Sequence, residues 1–317
     1  MGAIPYRHDA NLLVGYGSAD DGAVYRLDNG TCLIQTVDFF TPIVDDPFQY
    51  GEIAAANALS DVYAMGGRPV TALSLVCYPY KTWPADMLQQ IMAGGASKIE
   101  EAGSLVVGGH SVQDAEIKFG FAITGTVAEK NIWRNDTPRA GDALVLSKPL
   151  GTGTLTTAVK QNKLDETILD AAIREMSRLN AAAAVQAKKY KVSAVTDITG
   201  FGLMGHLYEM VRGAGYGAHI RCENLPVLPG AWDAIAAEAF TGAHKTNRVY
   251  VADYHIPETS ALIQYGQLLF DPQTSGGLLI ALPPADAKTL AADLCREGHT
   301  AAVIGDITER ATIQVTA

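Results

Sequence analysis

Two periods of apolar residues run along this chain. Residues 31 to 40, "TCLIQTVDFF", are β-branched and aromatic and predict a strand with Asp38 late in it. Residues 48 to 65, "FQYGEIAAANALSDVYAM", have helix composition and are closed by Gly66 and Gly67. A strand at 70 to 78, a helix at 84 to 103 with Pro84 near its start, and a strand at 104 to 111 running into a glycine turn follow. "IKFGFAITGTVAE" (117 to 129) alternates like a sheet strand. Strand and helix alternate, which predicts an α/β (α+β) fold, and the late strands make the sheet mixed rather than purely parallel. The polar stretch "KNIWRNDTPRAGD" (130 to 142), with Pro138 and Gly141, predicts a boundary between domains 1–137 and 138–317. Beyond it the pattern predicts a strand at 143 to 147, a long Ala-rich helix over 166 to 189, a strand at 192 to 197 and a helix at 203 to 213. From residue 276 onward it predicts strand, helix, strand, strand, and no fixed-period repeat interrupts the order.

The 317 residues exceed one ordinary core, in keeping with two α/β domains, and 48% apolar residues suffice to pack them. A formal net charge of −10, with both signs scattered, argues against a nucleic-acid footprint and offers no polybasic membrane patch. No secretory signal pattern and no run of about 18 apolar residues occurs, so a cytoplasmic protein is expected. Cys32, Cys77, Cys222 and Cys295 lie far apart without CxxC spacing, which points to free thiols rather than a zinc site or disulfide scaffold. An acidic protein that holds a polyanion needs metal ions and backbone N–H groups to do so.

Asp20, Asp21, Asp38 and Asp61 are the first candidate constellation. Asn57 and Asp61, four apart on a predicted helix, share one face. Clustered carboxylates repel unless a cation lies between them, and hard oxygen ligands suit Mg²⁺ completed by phosphate oxygens. The plainer alternative makes them turn, strand-end and solvated helix positions. Three glycine-rich stretches, "GGHS" (108 to 111), "TDITGFGLMGH" (196 to 206) and "DPQTSGGLL" (271 to 279), bring glycine beside Ser, Thr or Asp, where backbone N–H groups can approach phosphate. "GFGLMG" matches G-x-G-x-x-G but lacks the rest of a dinucleotide unit. His110 could donate to phosphate, His206 reads as a core or surface helix residue, and Lys148 as an anion contact or an ordinary surface lysine. No Ser-His-Asp or Cys-His pair can be assembled from spacing.

Taken together and in order, "DDGAVY", "TVDFFTPIVDDPFQYGEIAAANALSDVYAMGG", "GGHS", "TDITGFGLMGHL" and "DPQTSGGLL" are far more specific than any one of them. From about Asn11 to the C-terminus the chain resembles the selenide, water dikinase (selenophosphate synthetase) family. That family lies within the aminoimidazole ribonucleotide synthetase-like ATP-binding superfamily, which also holds thiamine monophosphate kinase and a hydrogenase maturation protein. The resemblance implies an N-terminal mixed sheet that pairs with a second subunit's into a β-barrel, a larger C-terminal α/β domain, and a homodimer. It implies conversion of ATP, selenide and water to selenophosphate, AMP and orthophosphate, with magnesium. By motif position Asp21, Asp61 and Asp197 match the magnesium carboxylates. Ser18, Ala19, Asp20, Asp38 and Asp61 match nucleotide contacts, and Gly109, His110 and Ser111 match a second ATP-binding turn that serves the neighbouring subunit. Selenide, a strong nucleophile, needs little base, whereas loss of orthophosphate from the ADP stage needs an activated water, expected near Asp197 or Asp61.

The chain departs from that pattern at its start. The family opens with a glycine-rich segment carrying a cysteine or selenocysteine and then a lysine, and "MGAIPYRHDA" has neither. Cys32 lies inside a strand and does not substitute, so no catalytic residue is assigned. A shortened N-terminus, a start placed late because an upstream selenocysteine codon was read as a stop, and a degenerate paralogue are the three expectations. The retained aspartates favour the first two, and with that segment missing the chain is expected to bind ATP and magnesium weakly and not to turn over. Two other functions stand beside the leading one: a superfamily kinase for a different small acceptor, and a non-catalytic nucleotide-binding dimer.

Overall fold

A computed structural model describes residues 8–317. Residues 1–7, on which most of the expectation about the missing cysteine and lysine rests, lie outside the described residues. The chain divides into two compact units, the first ending at Arg134 and the second spanning Asn135–Ala317.

The first unit contains β1 (Leu12–Val14), β2 (Ala23–Arg26), β3 (Thr31–Phe40), α1 (Pro47–Ala64), β4 (Arg68–Tyr78), α2 (Ala85–Glu101), β5 (Leu105–Gln113) and β6 (Lys118–Ala128). Its six-stranded sheet has the order β1-β2-β3-β6-β4-β5, parallel only between β4 and β5. α1 begins where Asp46 accepts from Gln49 N at 2.8 Å ahead of Pro47, a cap worth about 1 kcal/mol. α1 is apolar on nearly all sides because the sheet covers one side and α2 another. The helices meet closely at Gly94, where a Cβ would stand 2.0 Å from Phe48 O, so only glycine fits.

The second unit contains β7 (Ala143–Leu146), α3 (Thr152–Lys160), α4 (Leu169–Ser177), α5 (Ala181–Ala187), β8 (Ala194–Asp197), α6 (Gly202–Ala214) and β9 (Gly217–Arg221). It continues through α7 (Ala231–Ala236), α8 (Gly242–Tyr250), α9 (Ser260–Leu269), β10 (Leu278–Leu282), α10 (Pro284–Arg296), β11 (Ala302–Thr308) and β12 (Ile313–Thr316). Its sheet runs β12-β9-β11-β7-β10-β8, parallel only between β12 and β9. β7, β8 and β10 are buried throughout. The single helix expected over 166 to 189 is two, α4 and α5. The chain is extended at Arg178, and the break frees Arg178 O to accept from Lys148 Nζ at 2.6 Å. Just beyond it Asn180 Nδ2 donates to Gly276 O at 2.8 Å. No helix among the described residues is long and apolar enough to cross a membrane.

Candidate functional site

The inner face of β3 begins apolar and ends polar. Cys32 and Ile34 are fully buried beneath α1, and burial raises the Cys32 thiol above its usual range. Two and four residues on, Thr36 and Asp38 carry the same face toward the strand end. α1 meets them with Asn57 and Asp61, one turn apart on one side of the helix. Asn57 Nδ2 donates to Asp38 Oδ2 at 2.8 Å, and the Thr36 hydroxyl donates to Asp61 Oδ2. These two bonds hold both carboxylates at the junction of β3 and α1, and Asp61 is only 8% exposed.

Asp20 and Asp21 lie in the loop before β2. Asp21 N donates to Asp20 Oδ1 at 3.3 Å, and both residues are half-buried. A Cβ on Gly22 would stand 3.5 Å from Met65 Cγ, so this turn lies over the end of α1, one helical turn beyond Asp61. Ser18 closes a 3-10 turn, Tyr16–Ser18, and Ala19 follows with φ 51° and ψ 38°. A left-handed alanine is uncommon and marks a backbone held by its surroundings.

Gly109, His110 and Ser111 are elsewhere on the same sheet. They were expected in a turn, but they lie within β5, an edge strand exposed along its length. The reason is packing: a Cβ at 109 would stand 2.1 Å from Ser74 Oγ and 2.3 Å from Ser74 O, so glycine lets β5 lie against β4. The register shifts between Ala72 and Leu73 to seat them. Asp38, Phe121, Ser74 and Gly109 form one cross-strand row. Three interstrand steps of about 4.8 Å separate its ends by about 14 Å. The first unit thus seats Asp38 and Asp61 at the β3–α1 junction, lays the turn of Asp20 and Asp21 over the end of α1, and holds Gly109 to Ser111 apart.

On the outward face of β3, Val37 and Phe39 are 56% and 49% exposed, while the Asp38 carboxylate faces α1. Across the strands Val37, Ala122 and Leu73 form an apolar row on that open face.

Asp197 belongs to the second unit, 2% exposed at the end of β8 opposite Leu278. The following Ile198 N donates to Gly277 O at 2.9 Å. The "DPQTSGG" stretch ties that corner together. Gln273 Oε1 accepts from Gly151 N at 2.9 Å and from Thr152 N and Oγ1 at 3.1 Å. Asp271 accepts from Thr154 N and Oγ1 at 3.1 and 2.8 Å, and burial pushes its carboxyl up to about 7 against the pull of those donors. Lys148 is not a surface lysine: 1% exposed, it donates to Ser275 O at 2.8 Å as well as to Arg178 O. Ser275 is another left-handed non-glycine residue, with φ 48°. His206 is also buried, in contact with Thr199 and Glu209. Spacing did not reveal that group because its third member, Glu209, is ordinary helix composition. A cleft of about 520 Å³ beside Cys222, Trp232 and Tyr265 holds none of the sequence-predicted site residues.

Two tandem α/β units, with carboxylates held at a strand–helix junction on the first and glycine-fastened turns on the second, define a two-domain α/β class. The pattern "AIR synthase related protein, N-terminal domain" matches residues 19–127, and the corresponding C-terminal domain matches 139–317. Solved structures share the fold. Thiamine-monophosphate kinase from Stenotrophomonas maltophilia superposes with a TM-score of 0.71 at 18% identity, covering 96% of this chain and 91% of that one. AaThiL complexed with AMPPCP and TMP gives 0.68 at 21%, covering 93% and 87%. Hydrogenase maturation protein HypE gives 0.70 at 18%, covering 98% and 91%. Among curated relatives, selenide, water dikinase of Geobacter metallireducens is 47% identical over 94% of this chain and 87% of its own length. That of Treponema denticola is 43% identical over 96% and 87%. The chain belongs to the selenide, water dikinase family.

Proposed function

We propose that this chain synthesises selenophosphate, converting ATP, selenide and water to selenophosphate, AMP and orthophosphate. The observation that carries the reading is 41% to 47% identity to proteins named selenide, water dikinase over nearly the whole chain. Phosphoryl transfer asks a protein mainly to position an acceptor and to neutralise charge, and this chain's carboxylate junction is built for neither task alone. It needs a cation. Among the described residues no group of three or more His, Cys, Asp or Glu side chains is placed to hold a metal by itself. The donors are all hard oxygens, which fits Mg²⁺, an ion that takes one or two carboxylates and completes its shell with phosphate oxygens and water. Asp21 and Asp61 would hold it on the first unit, and when bound it would neutralise charge on the transferred phosphoryl group.

Ser18, Ala19, Asp20 and Asp38 would receive the nucleotide beside that junction. Gly109, His110 and Ser111, about 14 Å away on the sheet edge, would serve the site of a neighbouring subunit. A homodimer follows from the same reading. The exposed row of Val37, Ala122 and Leu73 gives a second copy's sheet an apolar face to cover, burial worth about 25 cal/mol per Å².

The test supplies the protein with ATP, magnesium and selenide. AMP and orthophosphate should appear together only when selenide is present, and chelating magnesium should stop both. ADP as the sole end product, or AMP release indifferent to selenide, would contradict the proposal.

A further inference from the structure

We infer that a cleft in the second unit, walled by Trp232 and Tyr265 and edged by Glu223, binds a small organic ammonium ion with a short apolar tail. The cleft encloses about 520 Å³, within the range of small-molecule sites, and every residue lining it belongs to the second unit. The inference goes beyond the selenophosphate reading. ATP, selenide and the products of that reaction are anions, and among the described residues no cationic side chain lines the cleft.

Three pieces of chain build the cleft, and packing fixes each of them. β9 ends at Arg221, and a 3-10 turn over Cys222–Asn224 buries Cys222 and leaves Glu223 exposed at the rim. The chain then passes Leu225 to Val227, which bridges to Leu150. Leu150 N donates to Pro226 O, and Leu228 N to Leu150 O, both at 2.9 Å. α7 buries Ala231 and Ala234 and leaves Trp232 41% exposed. α9 buries Ala261, Leu262, Leu268 and Leu269 and sets Tyr265 against Trp232, with ring centroids 5.4 Å apart and planes at 82°. Walls held in this way lose little conformational freedom when a ligand enters.

The lining selects the ligand's charge. Two rings nearly at right angles leave a corner beside them, and aromatic faces, being negative, draw a cation and repel an anion. Glu223 is the one charged residue among the described residues that line the cleft, and its charge has the same preference. Arg221, the nearest basic residue in sequence, is engaged with Asp306 and does not neutralise it. Burial pushes the Cys222 thiol up to about 11, so that wall is uncharged at neutral pH. Leu225, Val227 and Ile235 add apolar surface, which suits hydrocarbon next to the positive charge. A hydrated metal ion would use neither the rings nor that surface. The net charge of −10 favours approach of a cation from a distance.

Choline chloride titrated into the protein against matched sodium chloride tests the site. The readout is the indole N–H signal of Trp232, assigned by its loss in Trp232→Phe, with Trp83 and Trp133 as internal controls. Choline should move the Trp232 signal to saturation and leave the other two in place. Its uncharged isostere 3,3-dimethylbutan-1-ol should bind about tenfold more weakly, and choline should bind about fivefold more weakly to Glu223→Gln and about tenfold more weakly to Tyr265→Leu. Equal affinity for the uncharged isostere, unchanged choline affinity in Glu223→Gln, or a Trp232 signal that choline does not move would each overturn the site. Saturation by a trilysine peptide without any response to choline would show that the cleft takes a partner's side chain, and would overturn the small-molecule reading. Neither ATP nor selenide enters the titration, so its failure and a failure of selenophosphate synthesis are read separately.

Discussion

Asp271 is a carboxylate taken almost wholly out of water. It is 1% exposed beneath α3, and its carboxyl is pushed up to about 7 by burial from an ordinary 3.8. A folded value above the unfolded one means that folding favours the neutral acid. Its contribution to stability is therefore whole below about pH 4 and lost as pH rises through about 7. Asp271→Asn removes the charge at every pH, so the Tm of the variant should gain on wild type between pH 5 and about 7 and level off above it. A constant gap over that range would show that Asp271 does not titrate near neutrality. At this scale the sequence was informative where side chains follow period, as for Asp38 and Asp61. It was silent where burial depends on distant chain, as for Lys148, whose two carbonyl acceptors lie 30 and 127 residues away.

Elements were legible where composition was one-sided. α1, β3, β4 and β6 lie within two residues of their expected bounds because apolar periodicity sets them. The break between α4 and α5 was hidden, since alanine-rich helix composition lies on both sides of it, and the contacts of Arg178 and Asn180 with Lys148 and Gly276 hold the chain there in another conformation. β5 misled for a related reason: glycines that read as a turn are there because β4 approaches too closely for a side chain. Gly109→Ala should consequently displace β5 from β4 and cost several kcal/mol, as close-packed backbone sites do. Hydrogen exchange of the β5 amides would detect this, and unchanged protection would refute the packing argument.

For the whole molecule, the fold class could be read from alternating elements, whereas the use of the outer sheet face could not. Val37, Phe39 and Leu73 look like core residues in sequence and are exposed in the chain by itself. If a second copy covers them, Val37→Glu with Leu73→Glu should turn a dimer into a monomer in sedimentation velocity; a monomeric wild type would remove that proposal. Selenophosphate is the product that decides the activity. Phosphorus NMR of the full-length protein with ATP, magnesium and ⁷⁷Se-labelled selenide should show AMP, orthophosphate and a third phosphorus signal split by coupling to selenium. ATP converted to AMP or ADP with no selenium-coupled phosphorus would contradict it.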